Sequence, residues 1–191
     1  RPSLPSTITI HHRIANTRAV LADPTQLHQV LMNLATNAYQ AMEQTGGSLE
    51  IRVEDVDYSQ AELTLHPGIA AGAFVRLVVA DSGQGIPATI RARIFDPFFT
   101  TKAVGTGTGM GLAIVDGIVR ASGGFITCES ESGKGTVFTI ALPAHAGEVS
   151  GTVEDSEEIA SGHGRILFVD DEEMLAEMGQ TMLERLGYEV T

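Results

Sequence analysis

At 191 residues, with 43% hydrophobic and 19% charged side chains, the chain is long enough to bury one ordinary core and part of a second. A formal net charge of −12 without clusters of Lys and Arg argues against a nucleic-acid partner, which would need such clusters for phosphate contacts. No apolar run approaches the roughly 18 residues of a membrane span and no secretory signal stands at the start, while a single cysteine, Cys128, excludes an internal disulfide framework and any multi-cysteine metal site. The expectation is a globular stretch that lies in the cytoplasm and makes no membrane contact itself, with any membrane anchor of a longer parent lying upstream.

In chain order, STITIHHRI alternates as a strand, with His11 and His12 on opposite faces. Asp23 and Pro24 mark a helix start ahead of TQLHQVLMNLATNAYQAMEQ, where Leu27, Val30, Leu31, Leu34, Ala38 and Ala41 follow helical spacing. Gly46 and Gly47 end that helix. Strands are predicted at SLEIRVEDV and, after a polar excursion around HPGIAAG, at FVRLVVAD. A short helix, PATIRARIF, precedes a glycine-rich stretch and a second long helix from Met110 to Ala121. Two last strands, GFITCESES and GTVFTIALP, flank the hairpin signal Gly133-Lys134-Gly135. Cys128 reads as a small buried hydrophobe in the first of them. Residues 144–163 are small, polar and acidic and read as a flexible linker, and order resumes at RILFVDDEEMLAEMGQTMLERLGYEVT.

Four glycines at alternate positions, Gly105, Gly107, Gly109 and Gly111, run into the helix from Met110. The spacing does not satisfy G-x-G-x-x-G, since the third position falls on Met110 or Leu112, and no Gly-Lys-Ser/Thr follows to make a P-loop. What remains is a glycine-rich segment feeding a helix N-terminus, whose unpaired N–H groups and positive dipole end favour anionic oxygens such as a phosphate chain. Asn33 and Asn37, four residues apart, share one face of the first helix and offer two amide oxygens that can coordinate a metal or orient metal-bound water. A pair of polar surface residues is the plainer account. Asp81, at a strand end before Gly83 and Gly85, can accept from an exocyclic amine such as that of adenine while the glycines let the backbone lie against a flat ring; an ordinary Asp-Ser-Gly turn explains the same residues.

Taken in order, Asn33 to Ala38, Asp81 to Gly85, Phe95 to Lys102 and Gly105 to Leu112 resemble the four boxes of the ATP-binding catalytic domain of sensor histidine kinases, in the Bergerat-type ATPase superfamily. The likeness covers Ser6 to Pro143, and NLATNAYQAM with FDPFFTTK is similar to the nitrogen-regulation type. It implies an α/β sandwich, a mixed sheet covered on one face by helices, occupying residues 1–143, with ATP and Mg²⁺ between helices and a lid. By that resemblance Asn37 holds Mg²⁺ and Asn33 helps position the phosphates; Asp81 reads the adenine amine beside Gly83, Gly85 and Ile86. Phe95, Phe98 and Phe99 anchor the lid, and Lys102 reaches the terminal phosphate. Gly107, Thr108, Gly109, Met110, Gly111 and Leu112 wrap the phosphate chain, and Thr136 supports the adenine end. Gln40 and Ala41 stand where many members carry a basic and an aromatic residue.

Asn33 and Lys102 are then the expected catalytic pair. Related clamp ATPases carry a glutamate at the position of Asn33, and an amide cannot act as a general base. Water attack should be slow, which suits transfer of the γ-phosphoryl group to a histidine. The family places that histidine on a separate dimeric helical domain, the expected partner. His11 and His12 sit in a strand, His28 in a helix, and His66, His145 and His163 in loops or linker, so none is expected to be the acceptor. Residues 164–191 resemble the start of a response-regulator receiver domain, an incomplete strand-helix piece whose Asp170 and Asp171 match that family's acidic Mg²⁺ pair. The expected whole is a hybrid histidine kinase in a two-component phosphorelay. A clamp-type ATPase coupling hydrolysis to closure, and a pseudokinase module binding nucleotide weakly, are the other classes the residues leave open.

Overall fold

A computed structural model of the protein describes residues 8–15, 18–101, 108–145, 163–167, 183–184 and 187–190. The chain divides into two compact units, Ser3–Gly147 and Glu148–Thr191, the latter with Arg1–Pro2.

In the larger unit the order is β1 (Ile8–Ala15), β2 (Ala19–Val20), α1 (Pro24–Met42), β3 (Gly47–Tyr58), β4 (Gly72–Asp81), α2 (Ala88–Arg91), α3 (Gly111–Ala121), β5 (Phe125–Glu131) and β6 (Gly135–His145). One mixed sheet runs β1-β3-β4-β6-β2, with β5 also paired to β6. Only β1 and β3 pair in parallel, from Ile8↔Gly47 to Ala15↔Glu54; the remaining ladders are antiparallel. Helix α1 begins as its sequence dictates, with the Asp23 carboxylate accepting from Thr25 N at 2.7 Å and proline in the first turn. Its stripe of Val30, Leu34, Ala38 and Met42 and the α3 residues Val115 and Val119 bury against Leu49, Val79, Phe138, Ile140 and Leu142, which point to one face of the sheet. That is a curled mixed sheet under helices, as expected for an α/β sandwich.

The opposite face is not bare. β3 and β4 extend beyond the predicted strands, and the connection between them, expected to be a polar excursion, folds back so that Leu63 is buried with Phe74, Phe125 and Ala141, with Tyr58, Val56 and Ile69 packed around them. His66 stacks on Phe125 at 4.0 Å between ring centroids instead of lying free in a loop. Here the long-range pairing Phe125↔Ala141 creates an apolar patch that no local pattern announces. His145, expected in the linker, is the last residue of β6, paired with Ala19. The helix predicted at PATIRARIF contracts to α2, followed by successive tight turns, Arg93 N to Ile90 O, Asp96 N to Arg93 O and Phe99 N to Asp96 O, at 2.9 to 3.1 Å. Strand β1 is an edge strand exposed on both faces from Thr9 onward, which leaves both His11 and His12 exposed.

In the smaller unit, β7 (Arg165–Ile166) pairs in parallel with β8 (Glu189–Val190), closed by an Arg165–Glu189 ion pair at 3.3 Å. Asp170, Asp171, Lys102, Gly105 and Gly107 lie outside the described residues. Among the described residues no helix is long and apolar enough to cross a membrane.

Candidate functional site

A cavity of about 890 Å³ opens on the helical side of the sheet, bounded by α1, the turn after β4, α2, the start of α3 and β6. Each wall follows from local sequence. Because the apolar stripe of α1 turns into the core, the residue preceding each buried one falls on the flank, which puts Asn33 and Asn37 along the cavity. The Asn33 Nδ2 is buried and has no hydrogen-bond partner among the described residues, so one of the two amides holds an unspent donor at the cavity edge.

Asp81 ends β4 opposite Leu49 and Thr136, so its carboxyl sits where the sheet meets the cavity. Gly83 N donates to its Oδ1 at 2.8 Å, closing the turn locally. Burial raises the Asp81 pKa above the ordinary carboxylate range, opposed by the backbone amides of Gly83 and Thr136. The turn is pressed onto its neighbours. A Cβ on Gly83 would lie 2.7 Å from the Ala41 Cβ, and one on Gly85, at φ 68°, would strike the Glu131 carbonyl. Gln84 N donates to Ala41 O at 3.2 Å. The small side chain at Ala41 therefore has a packing reason: it lets this turn lie on the last turn of α1.

The apolar lining comes from Ile86, Ile90, Ile94, Phe99, Leu112 and Phe138. The three phenylalanines expected to anchor the lid take separate places. Phe95, partly buried, packs edge-on against Phe138 at the margin of the core with ring centroids 6.5 Å apart. Phe98, at φ 66°, is 75% exposed, and Phe99 lines the cavity with the Arg93 guanidinium 4.6 Å from its ring centroid. On the far wall α3 starts at Gly111 with no side-chain cap, and its first internal bond is Ile114 N to Met110 O, so the N–H groups of Gly111, Leu112 and Ala113 lack helical partners. Gly111 faces Asn33, whose Oδ1 would be 3.3 Å from an added Cβ. Gly109, at φ 65°, lies against the backbone of Phe98, where a Cβ would approach the carbonyl oxygen to 2.7 Å.

Of the expected site residues, Asn33, Asn37, Asp81, Gly85, Ile86, Thr108, Gly109, Gly111, Leu112 and Thr136 line this cavity. Gly83, Phe95, Phe98 and Met110 stand behind or beside it. Residues that the sequence did not single out include Thr36, Gln84 and Ser132 on the wall, and Ser130 beneath it, bonded to Ile86 N at 2.7 Å and to Thr136 Oγ1 at 3.0 Å. Nothing in the local pattern of CESES marks Ser130, because its partners are 44 and 6 residues away. Among the described residues no group of three His, Cys, Asp or Glu is placed to hold a metal. The only charged side chain among the described wall residues is Asp81.

A carboxyl, uncapped helix amides and an apolar lining share this one cavity, and the fold around it is that of an ATP-binding class. Residues 22–146 match the family model of histidine kinase-, DNA gyrase B-, and HSP90-like ATPases, and the chain belongs to that family. It is 40% identical over 181 residues, 90% of its length, to the sensor kinase CckA of Brucella abortus, of which it covers 19%. The chain spans about a fifth of the length of the curated relatives it matches. Among solved structures, the nucleotide-free catalytic domain of the histidine kinase ThkA matches with a TM-score of 0.54 at 36% identity, covering 72% of this chain and 79% of that one. Full-length ShkA in complex with AMPPNP matches with a TM-score of 0.55 at 26% identity, covering 96% of this chain and 34% of that one.

Proposed function

We propose that the chain binds Mg-ATP in this cavity and donates the γ-phosphoryl group to a histidine on a separate helical dimerisation domain, as the kinase core of a two-component sensor protein. The observation that carries the reading is the convergence of Asn33, Asn37, Asp81 and the uncapped start of α3 on one cavity. Asp81 accepts from the adenine amine, and the apolar slot of Ile86, Ile90, Leu112 and Phe138 holds the ring. The free amides of Gly111, Leu112 and Ala113 meet phosphate oxygens, and the unpaired Asn33 amide supplies a further donor.

The donor set suits a hard cation held mostly by substrate oxygens, since no group of three His, Cys, Asp or Glu is on hand among the described residues and Asn37 would supply an amide oxygen from the wall. When bound, Mg²⁺ neutralises charge that builds on the phosphate oxygens. Transfer forms a P–N bond to the histidine as the bond from phosphorus to the ADP oxygen breaks. Asn33, an amide, has no capacity to take a proton from water, so hydrolysis stays slow and the phosphoryl group is kept for the histidine. Lys102 is assigned to the terminal phosphate. The parallel β7–β8 pair supports reading residues 164–191 as the opening of a receiver domain, with Asp170 and Asp171 as its Mg²⁺ ligands and the receiver as a phosphorelay partner.

Calorimetric titration of the 191-residue chain with Mg-ATP tests the reading. Binding in the micromolar to sub-millimolar range is expected, lost in Asp81→Ala and Asn37→Ala, and phosphoryl transfer should appear on adding the cognate dimeric helical domain. No binding to the unsubstituted chain refutes the proposal.

A further inference from the structure

The Asp81 end of the cavity contains a hydrogen-bond arrangement whose proton positions follow from valence alone. Ser130 Oγ has three partners: the Ile86 N–H at 2.7 Å, the Gly135 carbonyl at 2.9 Å and the Thr136 hydroxyl at 3.0 Å. A carbonyl only accepts, so the single Ser130 hydrogen points to Gly135 O. A backbone N–H only donates, so Ile86 occupies one Ser130 lone pair. The remaining lone pair faces Thr136, which must be the donor in that contact. The Thr136 hydroxyl thereby spends its one hydrogen on Ser130, and Thr136, 3% exposed and lining the cavity, turns only lone pairs to any guest.

The cluster is held from several directions, so the hydroxyls have little freedom to rearrange. Arg91 Nη1 donates to the Ser130 carbonyl at 2.9 Å, and Gly133 N donates to Gln84 O at 2.7 Å. A Cβ on Gly135 would collide with the Asp81 carbonyl, which fixes the hairpin backbone against the turn that carries Asp81.

We propose that Ser130 is a positioning residue for nucleobase selection: it takes the Thr136 hydrogen and so leaves two acceptors, Thr136 Oγ1 and the Asp81 carboxylate, that read a 6-amino group, directly or through a water, and reject a 6-carbonyl. This rests on the adenine-nucleotide reading above and extends it from the residue that faces the base to one that never touches it. Removing the Ser130 hydroxyl frees Thr136 to rotate and donate, so the site loses its acceptor-only character.

The test compares Mg-ATP with Mg-ITP, which carries a carbonyl where adenine has its amine, by titration of the 191-residue chain. In Ser130→Ala the ratio of ATP to ITP affinity should fall about tenfold, the scale of one buried hydrogen bond reversed in direction. Thr136→Val should lower the same ratio by a similar factor, and the double variant should fall no further, because both act through one hydroxyl. A merely structural role for Ser130 weakens both nucleotides in parallel and leaves the ratio unchanged, which overturns the proposal. Should Ser130→Ala fail to fold, a wild-type ratio in Thr136→Val overturns it by itself. If the unsubstituted chain binds neither nucleotide, the adenine-nucleotide reading falls and this proposal with it; ATP preference with an unaltered ratio in the variants overturns the Ser130 assignment alone.

Discussion

Gly111→Ala separates what the phosphate-side backbone does for folding from what it does for binding. Gly111 is the first residue of α3 and its φ is not positive, so alanine is compatible with the backbone there. Alanine in place of glycine favours the helix by up to about 1 kcal/mol. The new methyl would stand 3.3 Å from Asn33 Oδ1, closer than an ordinary contact, so the Asn33 side chain must yield by a few tenths of an ångström. That displacement costs of the same order, about 0.5 to 1 kcal/mol, leaving net stability near zero and the melting temperature within about 3 °C of the parent. Binding has no such compensation. The methyl narrows the approach to the uncapped amides and moves the one amide that faces them, so Mg-ATP affinity should fall about tenfold, equivalent to the loss of one charge-assisted hydrogen bond. Thermal melts and calorimetric titration on the same preparation measure both. Unchanged affinity would refute the placement of phosphates at α3, and a melting temperature lowered by more than about 5 °C would show that the crowding is not confined to Asn33.

Two further outcomes follow from charge and burial. Burial raises the folded-state pKa of Asp81, so its contribution to stability is fully present below the unfolded pKa and is lost as pH rises through the folded one. Asp81→Asn should therefore gain on the parent as pH climbs out of the ordinary carboxylate range. Its ionised form is the stronger acceptor from an amine, so Mg-ATP affinity of the parent should fall more steeply on acidification through that raised pKa than the residual affinity of Asp81→Asn; equal falls in both would exclude Asp81 as the reader. Burial also pushes the Cys128 thiol up to about 11, which keeps it protonated at neutral pH. Iodoacetamide at pH 7.5, a typical choice below that pKa, should label Cys128 only when denaturant is added; mass spectrometry showing rapid labelling of the folded chain would contradict its packing against the core.

Much of the pocket is legible in the sequence, and for local reasons. The period of α1 placed Asn33 and Asn37 on one face, the Asp23-Pro24 pair marked its start, and the run of glycines into Met110 announced a backbone-lined helix N-terminus. These features depend on neighbours within a turn or two of chain, so spacing is sufficient to see them. Phe95, Phe98 and Phe99 show where that ends: close in sequence and alike in chemistry, they go to core margin, solvent and cavity wall, because a positive φ at Phe98 and the stack of tight turns before it rotate each ring in a different direction.

What the tertiary structure alone decided is the company each residue keeps across the sheet. Leu63 and His66 close a second apolar cluster only because β5 and β6 bring Phe125 and Ala141 together behind them. Ala41 is small because the turn after Asp81 lies on it, and Ser130 governs a hydroxyl that it meets only once the hairpin has closed. Helical and strand periods are written in the order of side chains, whereas these contacts join residues of different elements and are selected by the register of the strands, which a single-residue slip would turn to the other face.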